Sequence, residues 1–473
     1  MRKQIKKIGL VFLLILVLYL SLIILPYVQH KEVPAQLRQT FRPEDYLAPD
    51  GEEGSGERIA YVNDNMDALL YRFKMIEAAE EEVIVSTFDF DDDPAGKDML
   101  GALMTAAERG VKVRLIVDGV SGFMDLRNNP DFLALASYET ASIKIYNPIR
   151  FTKPWKLQAR LHDKYVIIDH KMFLLGGRNT MELFLGDTVT SGENIDRELF
   201  VLEPEGRPHP AIDEVRAYFE RIWALPDSRA FVCKEKTEKI ESARKALLDR
   251  YQASRARRDG AVRALNWEER LMDAKEIHLL SNPIEAENKA PVLWYKVQSL
   301  LRTGRDVLVY TPYIIAGKEM YRDMKETRAA VGSLSLITND PLSGANPWGC
   351  TDYLNQKKKI YATGIKVYEF MGAPLSSHTK AALIDERLVL LGSFNWDMRS
   401  VYQDTELMLA VDSEELNACI RAEAARDMNR SKVMQADGSY VYGPDYHAPE
   451  IPFMKKLFYA ALRVITIPIR RFL

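Results

Sequence analysis

The sequence predicts an α/β protein with two similar halves, each containing a mixed, mainly parallel sheet flanked by helices. Runs of apolar and β-branched residues alternate with helical stretches in 81–149 and again in 305–370, a pattern typical of strands joined through helices. A short motif of histidine, lysine and aspartate then follows in each half, at 162–169 and 378–385. Because the segments come in the same order twice, we predict a duplicated domain.

The first two predicted strands of each half enclose a helix. In the first half they are EEVIVSTFDF (81–90) and VKVRLIVDG (111–119), with a helix near 97–109. In the second half they are RDVLVYTPYI (305–314) and SLSLITND (333–340), with a helix near 317–330. One more strand follows in each half, SIKIYNPI (142–149) and IKVYEF (365–370). Strand–helix–strand units of this kind favour parallel neighbours.

The repeated motif has the spacing H-x-K-x4-D, as HDKYVIID (162–169) and HTKAALID (378–385). Successive strand side chains point to opposite faces, so His162 and Lys164 share a face, whereas Asp169 points to the other face or lies in the next turn. The chain has seven histidines among 473 residues, so two chance matches are improbable. The second copy supplies His378, Lys380 and Asp385.

A return strand follows each motif, MFLLGGRN (172–179) and LVLLGSFN (388–395), so each copy predicts a hairpin. A hairpin centred on the turn places Asn179 opposite His162 and Gly177 opposite Lys164. Asn395 and Ser393 take the matching places in the second copy. A third strand with a D-x-E pattern comes next in both halves, and it carries Asp196 and Glu198 in the first half and Asp404 and Glu406 in the second.

Paired H-x-K-x4-D motifs, each followed by G-G/S-x-N and then D-x-E, resemble the phospholipase D superfamily over roughly residues 58–415. Within it, the segments RLHDKYVIID, SSHTKAALID and LGSFNWDMRS are similar to those of bacterial cardiolipin synthases, and the chain layout is similar to the C-type. The resemblance implies that the halves pack about a pseudo-twofold axis and share one active site. It also favours His162 over His378 as the nucleophile, although the sequence itself leaves open which of the two histidines attacks.

The residue types suit phosphodiester chemistry. Lysine, asparagine and serine side chains can neutralise phosphate oxygens, and two histidines can supply the nucleophile and the general acid, so neither a metal nor another cofactor is needed. A carboxylate on the adjacent strand would orient each imidazole, and we assign Glu198 to His162 and Glu406 to His378. The predicted catalytic set is His162, Lys164, Asp169, His378, Lys380 and Asp385, with both aspartates as structural or electrostatic partners, supported by Asn179, Ser393, Asn395, Glu198 and Glu406.

The resemblance implies transfer of a phosphatidyl group from a donor phospholipid to phosphatidylglycerol, with phosphatidylethanolamine as a further candidate lipid. Two alternatives stay open: hydrolysis by the same site, as a phospholipase D or a membrane-tethered phosphodiesterase or nuclease, and a non-catalytic scaffold. A net charge of −3 and a pI near 6.3 disfavour nucleic acid as a partner. The need for a partner protein is left open by the sequence.

The N-terminus predicts a membrane anchor. A basic tail (1–7) precedes an uncharged apolar run at 8–28 that is long enough to cross a bilayer. A cleaved signal peptide ending at VPA (33–35) is the alternative, but charged residues separate that site from the apolar run. The basic tail favours a cytoplasmic N-terminus and an extracytoplasmic catalytic domain in the cell membrane.

The remaining chain divides by composition into five predicted segments: a linker (29–57), the first half (58–225), a charged helical connector (226–290), the second half (291–445) and a basic amphipathic C-terminal segment (446–473). We interpret the connector as solvated, with a lipid-entry lid as the alternative. The last segment is typical of an interfacial helix, and a docked terminal helix is its alternative.

FDFDDDPAG (88–96) predicts a turn or acceptor-positioning loop rather than a metal site, and Tyr313 is expected to line the active site. The three cysteines show no metal-binding spacing.

Overall fold

A computed structural model describes residues 2–49, 54–187, 194–204, 210–344, 346–450 and 452–473. Residues 50–53 of the predicted linker, 188–193 and 205–209 of the predicted first half, 345 of the predicted second half, and residues 1 and 451 lie outside the described residues. Each half contains a nine-stranded sheet covered by helices. The predicted duplication and fold class are confirmed.

The first half contains ten strands. They are β1 (Arg58–Val62), β2 (Glu82–Thr87), β3 (Lys112–Asp118), β4 (Ala141–Tyr146), β5 (Tyr165–Ile168), β6 (Met172–Gly176), β7 (Asn194–Ile195), β8 (Glu198–Leu202), β9 (Ser228–Phe231) and β10 (Met272–Asp273). The helices up to this point are α1 (Arg2–Ile24), α2 (Ala35–Thr40), α3 (Asn65–Ala78), α4 (Pro94–Glu108), α5 (Gly119–Ser121), α6 (Pro130–Leu135), α7 (Pro210–Ala224), α8 (Glu238–Arg257) and α9 (Asp259–Ala264).

The second half contains twelve strands. They are β11 (Glu276–Ser281), β12 (Asp306–Tyr310), β13 (Ile314–Ile315), β14 (Ser333–Asn339), β15 (Lys366–Phe370), β16 (Ser376–Ser377), β17 (Ala381–Ile384), β18 (Leu388–Gly392), β19 (Trp396–Asp397), β20 (Leu407–Asp412), β21 (Ser431–Met434) and β22 (Tyr440–Tyr442). The helices are α10 (Val292–Leu301), α11 (Lys318–Ala330), α12 (Pro347–Tyr361), α13 (Met398–Tyr402), α14 (Glu414–Asn429) and α15 (Phe453–Ile469).

The two sheets repeat one topology. Their orders are β10-β1-β8-β6-β5-β2-β3-β4-β9 and β11-β20-β18-β17-β12-β14-β15-β21-β22, so β5 and β6 of the first half correspond to β17 and β18 of the second. The sheets are mixed, as predicted, but the prediction that they are mainly parallel is wrong, because antiparallel pairs outnumber parallel ones in both. Among the described strands of the first sheet, β3 pairs in parallel with β2 and β4, and the other neighbours are antiparallel. The reason is that short turns join the motif strands, and a short turn cannot make a parallel crossover.

Both faces of each sheet are buried. In β2, Val83 and Val85 pack under helices α3 and α4, whereas Ile84 lies in a second core that the two halves share. That shared core also takes in Leu383 of β17 and Phe219 of α7. Strands buried on both faces show continuous apolar runs rather than alternation, which explains the composition of the predicted strands. The halves are therefore joined by a common apolar core.

The predicted connector (226–290) is not a solvated helix. Helix α8 buries Ile240, Leu247 and Tyr251 in the core of the first half, and β10 extends the first sheet while β11 already belongs to the second. The charged composition of α8 reflects its outer face only. Among the described residues of the predicted linker, Ala48 is buried, and its amide donates to Asp412 at 2.8 Å, so this stretch docks on the second half.

Apolar helices stand at both ends of the described chain. The stretch Gln4–Tyr27 is 24 residues long and contains an 18-residue window with a mean hydropathy of 3.2, so it is long and apolar enough to span a membrane. Helix α15 docks partly on α12 by burying Tyr459, Leu462 and Thr466. Most of its other large apolar side chains are exposed: Phe453, Met454, Leu457, Phe458, Val464, Ile465 and Ile467. The C-terminal helix therefore combines features of both predicted alternatives.

Candidate active site

The two motif histidines lie where the halves meet. His162 comes just before β5, and His378 lies between β16 and β17. Strand β16 pairs in parallel with β7, and the amide of His378 donates to the carbonyl of Ile195 at 2.6 Å. At the equivalent place in the other half, Leu161 bridges to Thr405, and the amide of His162 donates to Thr405 Oγ1 at 3.1 Å. Each histidine is thus held by the opposite half.

A carboxylate of the second half contacts the first histidine. Glu406 Oε1 lies 2.8 Å from His162 Nδ1. The hydroxyls of Ser393 and Ser400 donate to the same carboxylate, that of Ser400 at 2.6 Å. The ring of Phe88 packs against the imidazole with a centroid separation of 5.4 Å. Since Nδ1 faces Glu406, Nε2 is the ring nitrogen that can meet a substrate.

The second histidine has a different acidic partner, Asp196 of the first half. Asp196 Oδ2 lies 2.7 Å from His378 Nδ1, and Lys380 Nζ lies 2.6 Å from the same nitrogen. The ring of Phe184 packs against His378 with a centroid separation of 5.0 Å. The imidazole can donate to Asp196 or accept from Lys380 through Nδ1, so the two partners compete for it.

The predicted pairing of acids and histidines is therefore wrong for both histidines. Glu406 serves His162 rather than His378, because each D-x-E segment crosses to the motif of the opposite half. Glu198 serves neither: Arg72 donates to it at 2.6 and 2.8 Å, and Arg178 lies 3.5 Å away. Sequence reasoning missed Asp196 as a histidine partner, although it is the first residue of the D-x-E pattern.

Gly177 explains why the acids differ between the halves. A Cβ atom at this position would lie 2.4 Å from Asp196 Oδ2, so only glycine leaves room for the aspartate. The second half has Ser393 here, and its hydroxyl holds Glu406 instead. The first half has Gly177 where the second has Ser393, so it offers one hydroxyl donor fewer, and this difference makes the room for Asp196 beside His378.

The hairpin registers differ by one residue from the predicted ones. Lys164 lies opposite Gly176, whose amide donates to the lysine carbonyl at 3.2 Å, and the second hairpin repeats this with Lys380 and Gly392. Both turns are three-residue loops whose first residue is an aspartate with positive φ, 52° and 51°. The residues expected opposite the histidines and lysines are therefore displaced by one position: Gly177, Asn179, Ser393 and Asn395.

The motif aspartates lie in these turns, at the strand ends remote from the histidines, so the structure does not bring them into the site. Asp169 accepts hydrogen bonds from the amides of Glu80, Glu81 and Glu82 at 2.7–3.1 Å. Asp385 accepts from the amides of Arg305 and Asp306 at 2.7 and 2.8 Å. This geometry corrects the grouping of Asp169 and Asp385 with the catalytic residues. Of the two roles that the sequence predicted for them, structural and electrostatic, it supports the structural one.

Burial sets the electrostatics of the site. It lowers the pKa of Lys164 to about 7 and that of Lys380 to about 8. Burial, assisted by Lys380, lowers the pKa of His378 to about 3, and the pKa of His162 is also well below 6.5. A phosphate anion between these groups would favour their protonated forms.

The pKa values of the two carboxylates, Glu406 and Asp196, are shifted in opposite directions. Burial raises the pKa of Glu406 to about 8. Burial also raises the pKa of Asp196, but Lys380 and His378 outweigh that effect and lower it to about 2. The acid beside His378 is therefore ionised at neutral pH, and it is much more easily ionised than the acid beside His162.

A cavity of about 270 Å³ leads to His378. Asn179, Phe184, Tyr313 and Ser377 are among the residues that line it, so the expectation for Tyr313 is confirmed. Asn395 donates to the Tyr313 hydroxyl at 3.1 Å. The side-chain oxygens of Asn179 and Asn395 are buried and have no hydrogen-bond partner among the described residues. Both asparagines thus lie at the site, as their motif positions suggested.

The acidic loop after β2 begins helix α4. Asp93 caps this helix by accepting from the amide of Gly96 at 2.8 Å. Three carboxylates meet beside it: one carboxylate oxygen from each of Asp89, Asp91 and Asp125 lies within 4.8 Å of the other two. Burial and the neighbouring carboxylates raise the pKa of Asp91 to about 7. Within the described chain this loop makes the turn that the sequence predicted, and it also caps helix α4, which was not predicted from the sequence.

Comparison with known proteins gives the same outline. The family described as "Cardiolipin synthase, PLD-like domain" matches residues 73–223 and 297–428. Cardiolipin synthase C of Escherichia coli is 22% identical over 388 residues, which cover 74% of this chain and 80% of that protein. An uncharacterised protein of Helicobacter pylori is 24% identical over 393 residues, with 74% and 75% coverage.

A solved structure shows the same fold. The crystal structure of phosphatidylserine synthase from Haemophilus influenzae superposes with a TM-score of 0.59 at 15% identity, covering 90% of this chain and 97% of that one. At this identity the likeness concerns the fold. Because it covers nine-tenths of this chain, it extends over both halves.

Proposed function

The chain belongs to the cardiolipin synthase, PLD-like domain family, and on that premise we propose that it transfers a phosphatidyl group from a donor phospholipid to phosphatidylglycerol. The observation that carries the proposal is the pair of half-buried imidazoles, each with Nδ1 next to a carboxylate of the opposite half. Two buried lysines accompany them. This set offers a nucleophile, a proton carrier and positive charge for a phosphodiester.

We assign the nucleophile to His162. Its Nε2 attacks phosphorus, and a P–N bond forms while the P–O bond to the donor headgroup breaks. The electron pair of that bond goes to the headgroup oxygen, which takes a proton from His378. Attack requires a neutral imidazole, and burial with Lys164 favours the neutral form of His162 by lowering its pKa.

His378 is the better general acid because its partner is ionised. Asp196 stays negative at neutral pH and stabilises an imidazolium, which the acid step requires. When substrate phosphate draws the ammonium of Lys380 away from Nδ1, that nitrogen becomes free to donate to Asp196. In the second step His378 takes the proton of the phosphatidylglycerol hydroxyl, whose oxygen attacks phosphorus and releases His162.

The test is lipid analysis of membranes that contain the protein or its His162→Ala form, supplied with phosphatidylglycerol alone or with phosphatidylethanolamine. Cardiolipin that depends on His162 supports the synthase, and the two lipid mixtures identify the donor. Phosphatidic acid without cardiolipin would make the protein a hydrolase. No change in either lipid would overturn the proposal and direct the search to other phosphodiesters.

We also propose that residues 8–28 anchor the protein in the cell membrane, with the catalytic domain on the extracytoplasmic side. Cys419 is exposed, whereas Cys350 is buried. A membrane-impermeant maleimide should therefore label intact spheroplasts at Cys419, and the Cys419→Ser variant should lose most of the label. Labelling only after the membrane is permeabilised would place the domain in the cytoplasm.

A further inference from the structure

An exposed apolar surface lies beside the N-terminal helix, and neither the fold nor the active site accounts for it. Two short segments form it, 120–124 and 151–155. Phe151 is 63% exposed, Met124 71%, Trp155 44% and Phe123 38%. The rings of Phe123 and Phe151 contact each other edge to face at 6.3 Å. We refer to these four residues together as the apolar lip.

The anchor helix holds the lip by hydrogen bonds to its backbone. The hydroxyl of Tyr19 donates to the carbonyl of Phe151 at 3.0 Å, and that of Tyr27 donates to the carbonyl of Trp155 at 3.1 Å. A carbonyl placed in hydrocarbon needs an internal donor, since no water is available there. Tyr19 supplies this donor to Phe151, the residue of the lip that is bound at the greatest depth along the anchor helix.

These two bonds fix the depth of the lip relative to the anchor. Tyr19 and Tyr27 are eight residues apart, which is roughly 12 Å along a helix. Tyr19 lies well inside the uncharged segment 8–28, and that segment must occupy the hydrocarbon core if the helix spans the bilayer. Phe151, at the level of Tyr19, would then lie below the membrane surface, and Trp155 would lie near it.

The side chains around the lip have the charge that a bilayer surface favours. Arg127 stacks on the ring of Phe123 at 5.5 Å. Arg150 and Lys153, on the same loop as Phe151, are partly exposed. Cations that flank large apolar side chains match anionic lipid phosphates above a hydrocarbon layer. A surface that binds a protein partner would not need its cations and apolar side chains to lie at the depths that the anchor helix sets for the membrane.

From the anchor bonds, the exposed apolar rings and the flanking cations, we infer that the apolar lip inserts into the bilayer beside the anchor helix. This inference rests on the proposed membrane anchor but not on the reaction catalysed. The lip continues directly into the active site, because Gln158 and His162 follow Trp155 in the chain and Arg399 binds the carbonyl of Gln158 at 3.2 Å. Insertion would bring the first motif to the membrane surface, where phospholipid headgroups lie.

The experiment is depth-dependent fluorescence quenching with the full chain in phosphatidylglycerol-containing vesicles. A polarity-sensitive fluorophore is placed at Phe151→Cys, or independently at Met124→Cys, after Cys233, Cys350 and Cys419 are replaced. Nitroxides on lipid acyl chains should quench both positions several-fold more strongly than aqueous iodide does. The control is Ala246→Cys, an exposed position on the charged helix α8, which iodide should quench instead.

One result would overturn the inference: iodide quenching of both lip positions at the level of the control, with no stronger quenching by the nitroxides on the acyl chains. The second position guards against a local folding defect in one variant. Because quenching is measured without substrate, a failure here is distinguishable from a failure of the proposed reaction. An active enzyme with a solvated lip would refute the insertion alone.

Discussion

Nδ1 of His162 lies 2.8 Å from a carboxylate oxygen of Glu406, a residue 244 positions later that belongs to the other half of the chain. The equivalent contact of His378 is made by Asp196 rather than by a glutamate. The site is therefore symmetric in its histidines and lysines but asymmetric in its acids.

Replacement of either histidine should abolish transfer. We expect His162→Ala and His378→Ala each to lower the rate by a factor of about 10³ or more, because nucleophile and acid act as one unit. The matched control is His170→Ala, since His170 is exposed at a hairpin turn. Near-normal turnover by either active-site variant, measured by lipid analysis, would contradict a shared site.

The two acids should matter for the reaction, whereas Glu198 should matter for folding. Asp196→Asn keeps the shape but removes the charge beside His378, so we expect a loss of roughly 10²–10⁴ in rate, as for other orienting carboxylates. Glu198→Gln weakens the contacts with Arg72 and Arg178 and should lower Tm with little change in rate per folded molecule. A large loss of rate in Glu198→Gln, together with a normal rate in Asp196→Asn, would instead support Glu198 as the partner of a histidine, as the sequence suggested.

Gly177→Ser tests the space that Asp196 occupies. The new Cβ would meet the carboxylate at 2.4 Å, so we expect displacement of Asp196, a sharp loss of rate and a destabilisation of about 1–3 kcal/mol. Gly260→Ser is the control, because a Cβ there meets no atom within 4 Å. Wild-type rate and Tm in the Gly177→Ser enzyme would show that the close approach is unimportant.

The turn aspartates should act through stability. Asp169→Ala removes the acceptor of three backbone amides, which should cost about 1–3 kcal/mol or more. Asp169→Asn keeps an acceptor and suits the positive φ at this position, so it should recover much of the lost stability. Rates measured well below Tm should stay close to the wild-type value in both variants; a large loss of rate without a loss of Tm would indicate a direct catalytic role.

The buried Lys164 should make stability depend on pH. Burial lowers its pKa from 10.5 to about 7, so the folded state binds fewer protons than the unfolded state between those values. Its charge therefore destabilises the fold most below pH 7, and this penalty disappears as the pH rises towards 10.5.

The Lys164→Met variant separates this cost from the function of the lysine. It should be inactive yet more stable at pH 6, by on the order of 1–3 kcal/mol, since it removes a buried charge. Thermal unfolding in detergent at pH 6 and pH 9 should show the difference narrowing at the higher pH. Lys245→Met, on the exposed face of α8, should change neither value.

The sequence predicted the duplication, the hairpins and the clustering of histidines and lysines, because these follow from local patterns of period two and from a repeated spacing. The predicted register of both hairpins is wrong by one residue, because the register depends on the conformation of Asp169 and Asp385 in the turns. The acid pairing failed because it crosses between the halves, and no local pattern reports such a contact. The only visible signal was the difference between GGRN and GSFN, where Arg178 and Phe394 occupy the same position.

The exchange of acids between the halves also bears on how such a chain can change over generations. If the first half paired with a copy of itself, each His162 would meet Asp196 in the space that Gly177 leaves, and neither site would contain Glu406 or Ser393. The second half paired with itself would lack Asp196 and the glycine that admits it. A self-paired half would therefore have the same acid beside both of its histidines. Only the joined chain places an aspartate beside one histidine and a glutamate beside the other, so the proposed division into nucleophile and general acid requires both halves to be inherited as one gene.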